Sequence, residues 1–551
     1  MNSIQGTQHG GRRATAMAAA IAVAIGLGSA AKPAQGAAAA GGRDEISLTT
    51  EALLDTLQHT AFNFFWAESN SFNGLIRDRS TTGSPASTAS MGFGITAICI
   101  GIDHGWVTRA AGQQRILAAL QTLWTGTQGP GAVGIIGYKG LYYHFLDIFQ
   151  ATRTGSCELS TIDTALLFAG IVDAKQYFNT ADPADVQVRA LADSIYYRAD
   201  WDWARGGTSG LKMGWKPDFG FTQFGTWVGY NEAMIMYLLA LGSPTHPVPA
   251  TAWTTWTNGY QWGTQYGYQF VRFPPLFGHQ YSHCWVDFRN IWDFYMQNRG
   301  ITYFENSRRA TLAQRAYCIA NPLGRAGYSA NLWGLTASDD PFGYSAHGAP
   351  PGQNDNGTIT PTAPISSIPF SPGECLAATQ YLWDNYRTQL WSPYGFRDAF
   401  NLGFNWFATD VIGIDQGPII LMIENYRTGK VWNRFMQNAD VQRGLQRAGF
   451  VAAPASAAEP RDDGGLCVLG KTAPNPLRGT GTVAFRLPAA GRVEIALYDV
   501  QGRKVRQILD TTRSAGEHVV PFDAAGVPSG VYFYRLNFGN ETRLERCVIL
   551  Q

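Results

Sequence analysis

Apolar side chains recur along most of the chain at helical rather than strand spacing. In residues 50–66 they fall at Leu53, Leu54, Leu57, Ala61, Phe64 and Phe65, a stripe along one face of a helix. Residues 109–124 and 307–321 repeat that one-faced pattern. Thr161–Phe178, Glu232–Leu241 and Asp415–Tyr426 differ, because they are apolar nearly all round. A helix that is apolar on every side has to be buried on every side. Alternation of the two kinds from about residue 48 to 449 predicts two concentric helical layers, an α/α barrel or toroid. Long Gly/Pro/Trp-rich connections at 201–230 and 333–372 interrupt the helices, and loops of that length inside a compact domain usually carry function.

The pattern changes twice. After the small, Pro-containing run Ala452–Pro460 the period shortens to two, at 483–487, 493–498, 505–509, 518–522 and 531–536, with turns at Gln501-Gly502-Arg503 and Pro528-Ser529-Gly530. Short alternating strands at regular spacing predict a small β-sandwich. At the other end, Met17–Ala31 is a short apolar run preceded by Arg12 and Arg13 and followed by Ala34-Gln35-Gly36-Ala37. That is the form of an export signal, too short to span a bilayer. The expected organisation is a signal peptide at 1–36, a linker at 37–47, a helical domain at 48–450, a linker at 451–472 and a sandwich at 473–551. The expected location is periplasmic, secreted or at the cell surface, with no membrane span.

Composition narrows the ligand. The 551 residues include 42 Lys+Arg and 41 Asp+Glu, a formal net charge of +1, and only 15% of residues are charged. Such a balance lacks the basic face that nucleic acid requires. There are 17 Trp, 24 Tyr and 30 Phe, so aromatic surface is abundant and a neutral ligand fits best. The seven cysteines form no CxxC pair, which argues against structural zinc; Cys467 and Cys547, at the two ends of the sandwich, are candidates for a bridge.

The three all-apolar helices each carry acid at or just before the first turn: Glu158 with Asp163, Glu232, and Asp415. Capping explains one such acid. Three, on helices that cannot reach solvent along their sides, point to carboxylates gathered at one mouth. Hydrolysis of a glycosidic bond needs one carboxyl as acid and one as base, and aromatic faces stack on sugar rings. Glu232, followed by Ala-Met-Ile-Met, is expected to be the acid, its pKa raised by apolar neighbours. Asp415, in Gly413-Ile-Asp-Gln-Gly417, is expected to be held as an anion by glycine amides and a helix N-terminus, and to act as base. His279, His283 and Asp287 would share one face if helical, a spacing compatible with a metal. Polar substrate contact or satisfied burial is the alternative, and no metal or other cofactor is assigned.

These residues sit in strings that closely resemble the glycoamylase-like domain found in the endo-β-1,2-glucanases of glycoside hydrolase family 144. The strings are GLIRDRS (74–80), HFLD (144–147), CELSTIDTALLFAG (157–170), YNEAMIMYLLALGSPTHP (230–247), HQYSHCWVDFR (279–289), NLWGLTASDDPFGY (331–344), GTITPTAPISSIPFSP (357–372), YGFRDAFN (394–401) and GIDQGPIILMIENYRTG (413–429). The resemblance implies an all-α (α/α)6 barrel, an inverting mechanism and cleavage of β-1,2-glucan to sophoro-oligosaccharides. It implies Glu232 as general acid, with Asp415 and Glu158 as the other essential carboxylates. It also implies substrate contacts at Asp78, Asp147, Asp163, Trp227, Tyr230, His283, Arg289, Trp333, Asp340 and Asp398. Exo-acting and transglycosylating relatives share the motifs, and a non-catalytic glycan-binding surface protein is a further alternative. The C-terminal segment resembles an immunoglobulin-like module of the secretion-sorting type, through Asn475-Pro476, LYDVQGRKVRQIL (497–509) and PSGVYFYRL (528–536). Its last six residues lack the basic ending of many sorting signals, which leaves cell-surface attachment as the alternative role.

Overall fold

The computed structural model describes residues 48–349, 354–454, 468–469, 475–487, 490–514, 516–539 and 541–550. The expected export signal, the linker after it and Cys467 lie outside the described residues.

Between residues 48 and 454 the chain is built of helices in two classes. The helices Thr88–Asp103, Thr161–Tyr177, Met234–Gly242 and Gly413–Arg427 are buried over most of their circumference. Thr50–Ala67, Arg109–Thr125, Pro183–Tyr197 and Ala439–Arg447 bury one face only. The buried helices pack in succession, 88–103 on 161–177, then 161–177 on 234–242, and 413–427 returns to pack on 88–103. The one-faced helices flank them, 50–67 against 413–427 and 439–447 against 234–242. Glycine permits the closest crossing. A Cβ on Gly92 would lie 2.1 Å from the Leu166 carbonyl oxygen, and one on Gly170 would lie 2.0 Å from that of Gly92. The 88–103 and 161–177 helices therefore touch backbone to backbone.

The segments leading into the buried helices are tied to one another. Ala86–Ser87 pairs with Phe145–Leu146, Leu159–Ser160 pairs with Gly214–Trp215, and Arg79 bridges Ile412. Thr88 N donates to the His144 carbonyl, and Gly413 N donates to that of Asp78. Buried-helix N-termini are thereby drawn to one end of the unit. The helix expected over 232–241 begins only at Met234, so Glu232 sits in the turn that precedes it.

The C-terminal strands form a three-stranded and a four-stranded antiparallel sheet. Thr480–Leu487 pairs with Gly516–Asp523, and Gly491–Tyr498 lies between Lys504–Arg513 and Gly530–Phe538. Two strands were not anticipated, Val468–Leu469 and Glu541–Ile549. The expected linker 451–472 is thus strand near both ends, since Val451–Ala452 also pairs with Ile291–Trp292 of the helical unit. Val483, Phe485, Ile495, Leu497, Tyr534, Leu536 and Cys547 make up a core separate from that of the helices. Among the described residues no helix is long and apolar enough to cross a membrane.

Candidate active site

Two acid groups meet at the helix N-termini. In the first, Ser160 caps the 161–177 helix by accepting from Asp163 N at 3.3 Å, while its hydroxyl donates to the Asp163 carboxylate. The first bond is an ordinary N-cap, and the second ties the acid to the capping hydroxyl. His144 stands between the acids, Nδ1 at 2.9 Å from Glu158 Oε1 and Nε2 at 3.6 Å from Asp163 Oδ1. Burial opposes the charged imidazole, but Asp163 and Glu158 prevail and hold its pKa at about 9. Glu158 is correspondingly kept below the usual carboxylate range by His144, against the effect of burial. Burial moves Asp163 the other way, upward.

In the second group Arg79 is the hub. Its guanidinium reaches Asp78 at 3.2 Å, Asp339 at 3.0 Å and Asp410 at 3.4 Å. Asp410 also accepts from the hydroxyls of Ser80 and Thr81. Asp339 N donates to Asp398 Oδ2 at 2.6 Å. Asp398 Oδ1 and Asp415 Oδ2 are both buried without a hydrogen-bond partner, and the two carboxyls act on each other. Two carboxyls so placed cannot both ionise. Burial and the Asp415 charge drive Asp398 well up. Burial also raises Asp415, to about 7, tempered by the hydrogen bond from Asp398. The expectation that Asp415 is held as a stable anion by glycine amides is therefore corrected: burial raises its carboxyl to about 7, and the hydrogen bond from Asp398 only offsets part of that rise.

Glu232 lies between the groups. Burial lifts its carboxyl to about 7, and the charge of Asp163 adds to the rise. Tyr281 feels the charges of both Asp415 and Glu232, and Tyr344 those of Asp415, Asp398, Asp78 and Asp339. Glu232, Glu158, His144, Asp78, Asp339 and Tyr344 keep part of their surface open to solvent, whereas Asp163, Asp398 and Asp415 are buried.

The structure thus brings together Glu158, Asp163, Glu232, Asp78, Asp398 and Asp415 of the residues singled out from sequence. Trp227 stands beside them, its indole N–H on Thr161 Oγ1 at 3.1 Å. The others are engaged elsewhere. Asp147 accepts from Phe149 N and Gln150 N within its own turn. Tyr230 is packed among Trp256, Tyr260, His279 and Tyr303. Arg289 forks onto Asp287 at 2.8 and 2.7 Å and lies over the Trp432 ring. Trp333 is wholly buried, and Asp340 spends its oxygens on Phe342 N, Ser345 and Asn356. His279 and His283 lie on two short 3-10 turns rather than one helix face. His279 contacts the Phe273 carbonyl and His283 contacts Ser307, and burial lowers both to about 3. With Asp287 committed to Arg289, these three do not converge on a metal.

Sequence reasoning assigned no role to Arg79, His144, Tyr281, Asp339, Tyr344 or Asp410. Arg79 and His144 lie inside the quoted strings GLIRDRS and HFLD, so the signal was present but unassigned.

Residues 225–439 match the family described as "Putative glucoamylase". A crystal structure from Bacteroides uniformis, described in the same words, is 36% identical; it superposes with a TM-score of 0.69 over 74% of this chain and 99% of that one. The chain belongs to this glycoamylase-like family. Within the family, the endo-β-1,2-glucanase of Chitinophaga pinensis, in complex with sophorotriose and glucose, is 29% identical with a TM-score of 0.68 over 73% of this chain and 99% of that one. The exo-β-1,2-glucooligosaccharide sophorohydrolase (non-reducing end) of Parabacteroides distasonis is 32% identical over 435 residues. That match takes in 73% of this chain, which spans 58% of the length of that relative. Residues 471–550 match the secretion system C-terminal sorting domain, the mark of a chain exported to the cell surface or the medium. Sorting is therefore favoured over simple attachment for this module of the glycoamylase-like protein.

Proposed function

We propose that the protein is an exported glycoside hydrolase that cleaves linear β-1,2-glucan to sophoro-oligosaccharides with inversion, on an (α/α)6 barrel. The observation that carries this reading is the pair Glu232 and Asp415, two acids both raised to about 7 by burial, whose charges both reach Tyr281. Hydrolysis needs a carboxyl that is still protonated near neutral pH and one that is ready to take a proton. Glu232, partly open to solvent and isolated from cations, donates its proton to the glycosidic oxygen. Asp415, with Asp398 holding the second proton of the pair, takes the proton of the attacking water, directly or through a substrate hydroxyl. Glu158, kept ionised by His144, and Asp78, fixed by Arg79, supply acceptors for sugar hydroxyls. Net charge near zero suits a neutral polymer.

Internal cleavage is the mode of the Chitinophaga pinensis endo-glucanase, 29% identical, and terminal cleavage that of the Parabacteroides distasonis enzyme, 32% identical, so the product pattern separates the two. The test is incubation of the purified protein with linear β-1,2-glucan, with product lengths read by chromatography and anomer by NMR. A ladder of short oligosaccharides of the α-anomer is expected. Sophorose alone would make the cut terminal; no product from this polymer, with product from another β-glucan, would overturn the substrate.

A further inference from the structure

Beyond the acids, two hairpins carry strongly exposed phenyl rings in contact. Phe342 is 75% exposed and Phe404 is 55% exposed, yet their centroids are 5.2 Å apart with the planes at 86°. Among the described residues no other two phenyl rings that are each more than half exposed touch. Exposed rings ordinarily gain by burial, so a paired, uncovered set calls for an occupant.

The pair is held by a continuous hydrogen-bond chain. Phe342 N donates to Asp340 Oδ1 at 2.6 Å, and Asp340 Oδ2 accepts from Asn356 Nδ2 at 2.9 Å. The Asn356 carbonyl accepts from Asn401 Nδ2 at 3.0 Å, and Asn401 Oδ1 accepts from Phe404 N at 3.3 Å. Asp340 and Asn401 are themselves buried. Next to Phe404, Asn405 adopts φ of 48°, a left-handed conformation that Asn tolerates better than most residues. Two buried polar side chains and a left-handed turn residue thus present two apolar rings to solvent.

The place of the pair says what it faces. In the hairpin Ala337–Asp340 with Gly343–Ala346, Asp339 lies opposite Tyr344. These two residues belong to the acid cluster, and Phe342 is two residues, about 7 Å of strand, beyond Tyr344 toward the tip. Phe404 tips the hairpin Phe400–Asn401 with Trp406–Phe407, which begins two residues after Asp398. Both rings are therefore carried on hairpins that also position acids of the site. A β-linked glucopyranose carries all its hydroxyls equatorially, so its faces are axial C–H and apolar, and it is uncharged.

We propose that Phe342 and Phe404 form a stacking platform that binds glucose units of a β-glucan chain beyond those gripped by the catalytic carboxyls. The platform rests on the β-glucan hydrolase reading of the site, and it acts on long chains that reach both places. Asp340, Asn356 and Asn401 are positioning residues for it.

The test is the double variant Phe342→Ala/Phe404→Ala, with thermal melting to establish an unchanged fold. Native affinity gels containing soluble β-1,2-, β-1,3-, β-1,4- or β-1,6-glucan compare it with wild type, both in a Glu232→Gln background that prevents digestion. Retardation by a β-glucan is expected to weaken about tenfold in the double variant. In the active background, KM for the polymer rises by about the same factor while kcat/KM for a trisaccharide stays within about twofold. Lack of retardation of the parent by every glucan, equal retardation of parent and variant, or an equal loss on polymer and trisaccharide would each overturn the platform. So would a change of oligomeric state on substitution with retardation unchanged, which would make the rings a protein interface. Activity of the wild type on a glucan other than β-1,2-glucan, with the double variant still weakened on that glucan, would refute only the substrate assignment.

Discussion

Asp398 and Asp415 are two buried carboxyls that act on each other, and burial raises both, Asp398 the further, so that Asp398 keeps its proton where Asp415 ionises. The backbone amide of Asp339 pins the far oxygen of Asp398, so the acid–acid contact is imposed by the hairpin and not by chance rotamers. A pair that carries one proton near neutrality is a base whose strength is set by its neighbour. Replacing Asp398 by Ala removes the donor, so the Asp415 pKa rises and the acidic limb of the kcat/KM profile moves to higher pH. Asp398→Asn keeps an N–H donor and leaves that limb nearer its wild-type position. The measurement is kcat/KM against pH for the three proteins.

With Glu232 and Asp415 both at about 7, the wild-type profile is bell-shaped and narrow, with its maximum close to neutral pH. Glu232→Gln, which cannot donate a proton, is expected to lower kcat about a thousandfold. Steady-state assays on linear β-1,2-glucan check both statements, and retained binding of the glucan by Glu232→Gln separates lost chemistry from lost folding.

The same raised carboxyl destabilises the fold when charged. The folded protein holds the Glu232 proton more tightly than the unfolded chain does, so the contribution of this group declines as pH rises from its unfolded value toward about 7. Above that pH the wild type carries a buried charge that Glu232→Gln lacks. The variant should be the more stable of the two at pH 8 by about 3 kcal/mol, and the difference should shrink toward pH 5. Denaturant melts at both values measure it.

His144 works in the opposite sense. Its folded pKa of about 9 lies above the ordinary imidazole value, so its stabilising contribution is complete below about pH 6.5 and is lost as pH rises through 9. His144→Gln should abolish that part of the fall in melting temperature between pH 7 and 9.5. It should also raise the pKa of Glu158, which loses its cationic partner. Differential scanning fluorimetry of the variant beside wild type reads the first effect, and carboxylate titration by NMR the second.

Gly92 and Gly170 form the backbone contact between two buried helices, where a methyl group would meet main-chain atoms at about 2 Å. Because main chain cannot step aside as a side chain can, Gly92→Ala or Gly170→Ala is expected to cost at least about 3 kcal/mol. Urea unfolding gives the value. Gly267, with nothing within 4 Å but φ of 86°, should lose far less on substitution.

Much of the architecture was legible because burial leaves a periodic trace. Helices apolar on all sides could only be interior, and those with one stripe could only flank them, so the two classes followed from spacing alone. The acids at the starts of the interior helices were visible for the same reason, as polar residues where the pattern allowed none. Glu232, Asp415, Asp163 and Glu158 stood out in this way.

Position across the site was another matter. Strand parity decides that Asp339 faces the arginine hub while its neighbour Asp340 is spent on bracing Phe342, and nothing in the pair of letters distinguishes them. His283 and Tyr230 sit in strings rich in site residues, yet both are buried among aromatic rings. The sequence by itself determined the layered helices, the sandwich that follows and the presence of several helix-end acids, since those depend on local periodicity. Only the tertiary structure decided which acids share a proton, which arginine and histidine hold them, and which phenyl rings remain uncovered. Charge state and exposure depend on neighbours hundreds of residues away, and pairwise distance is not written in local spacing.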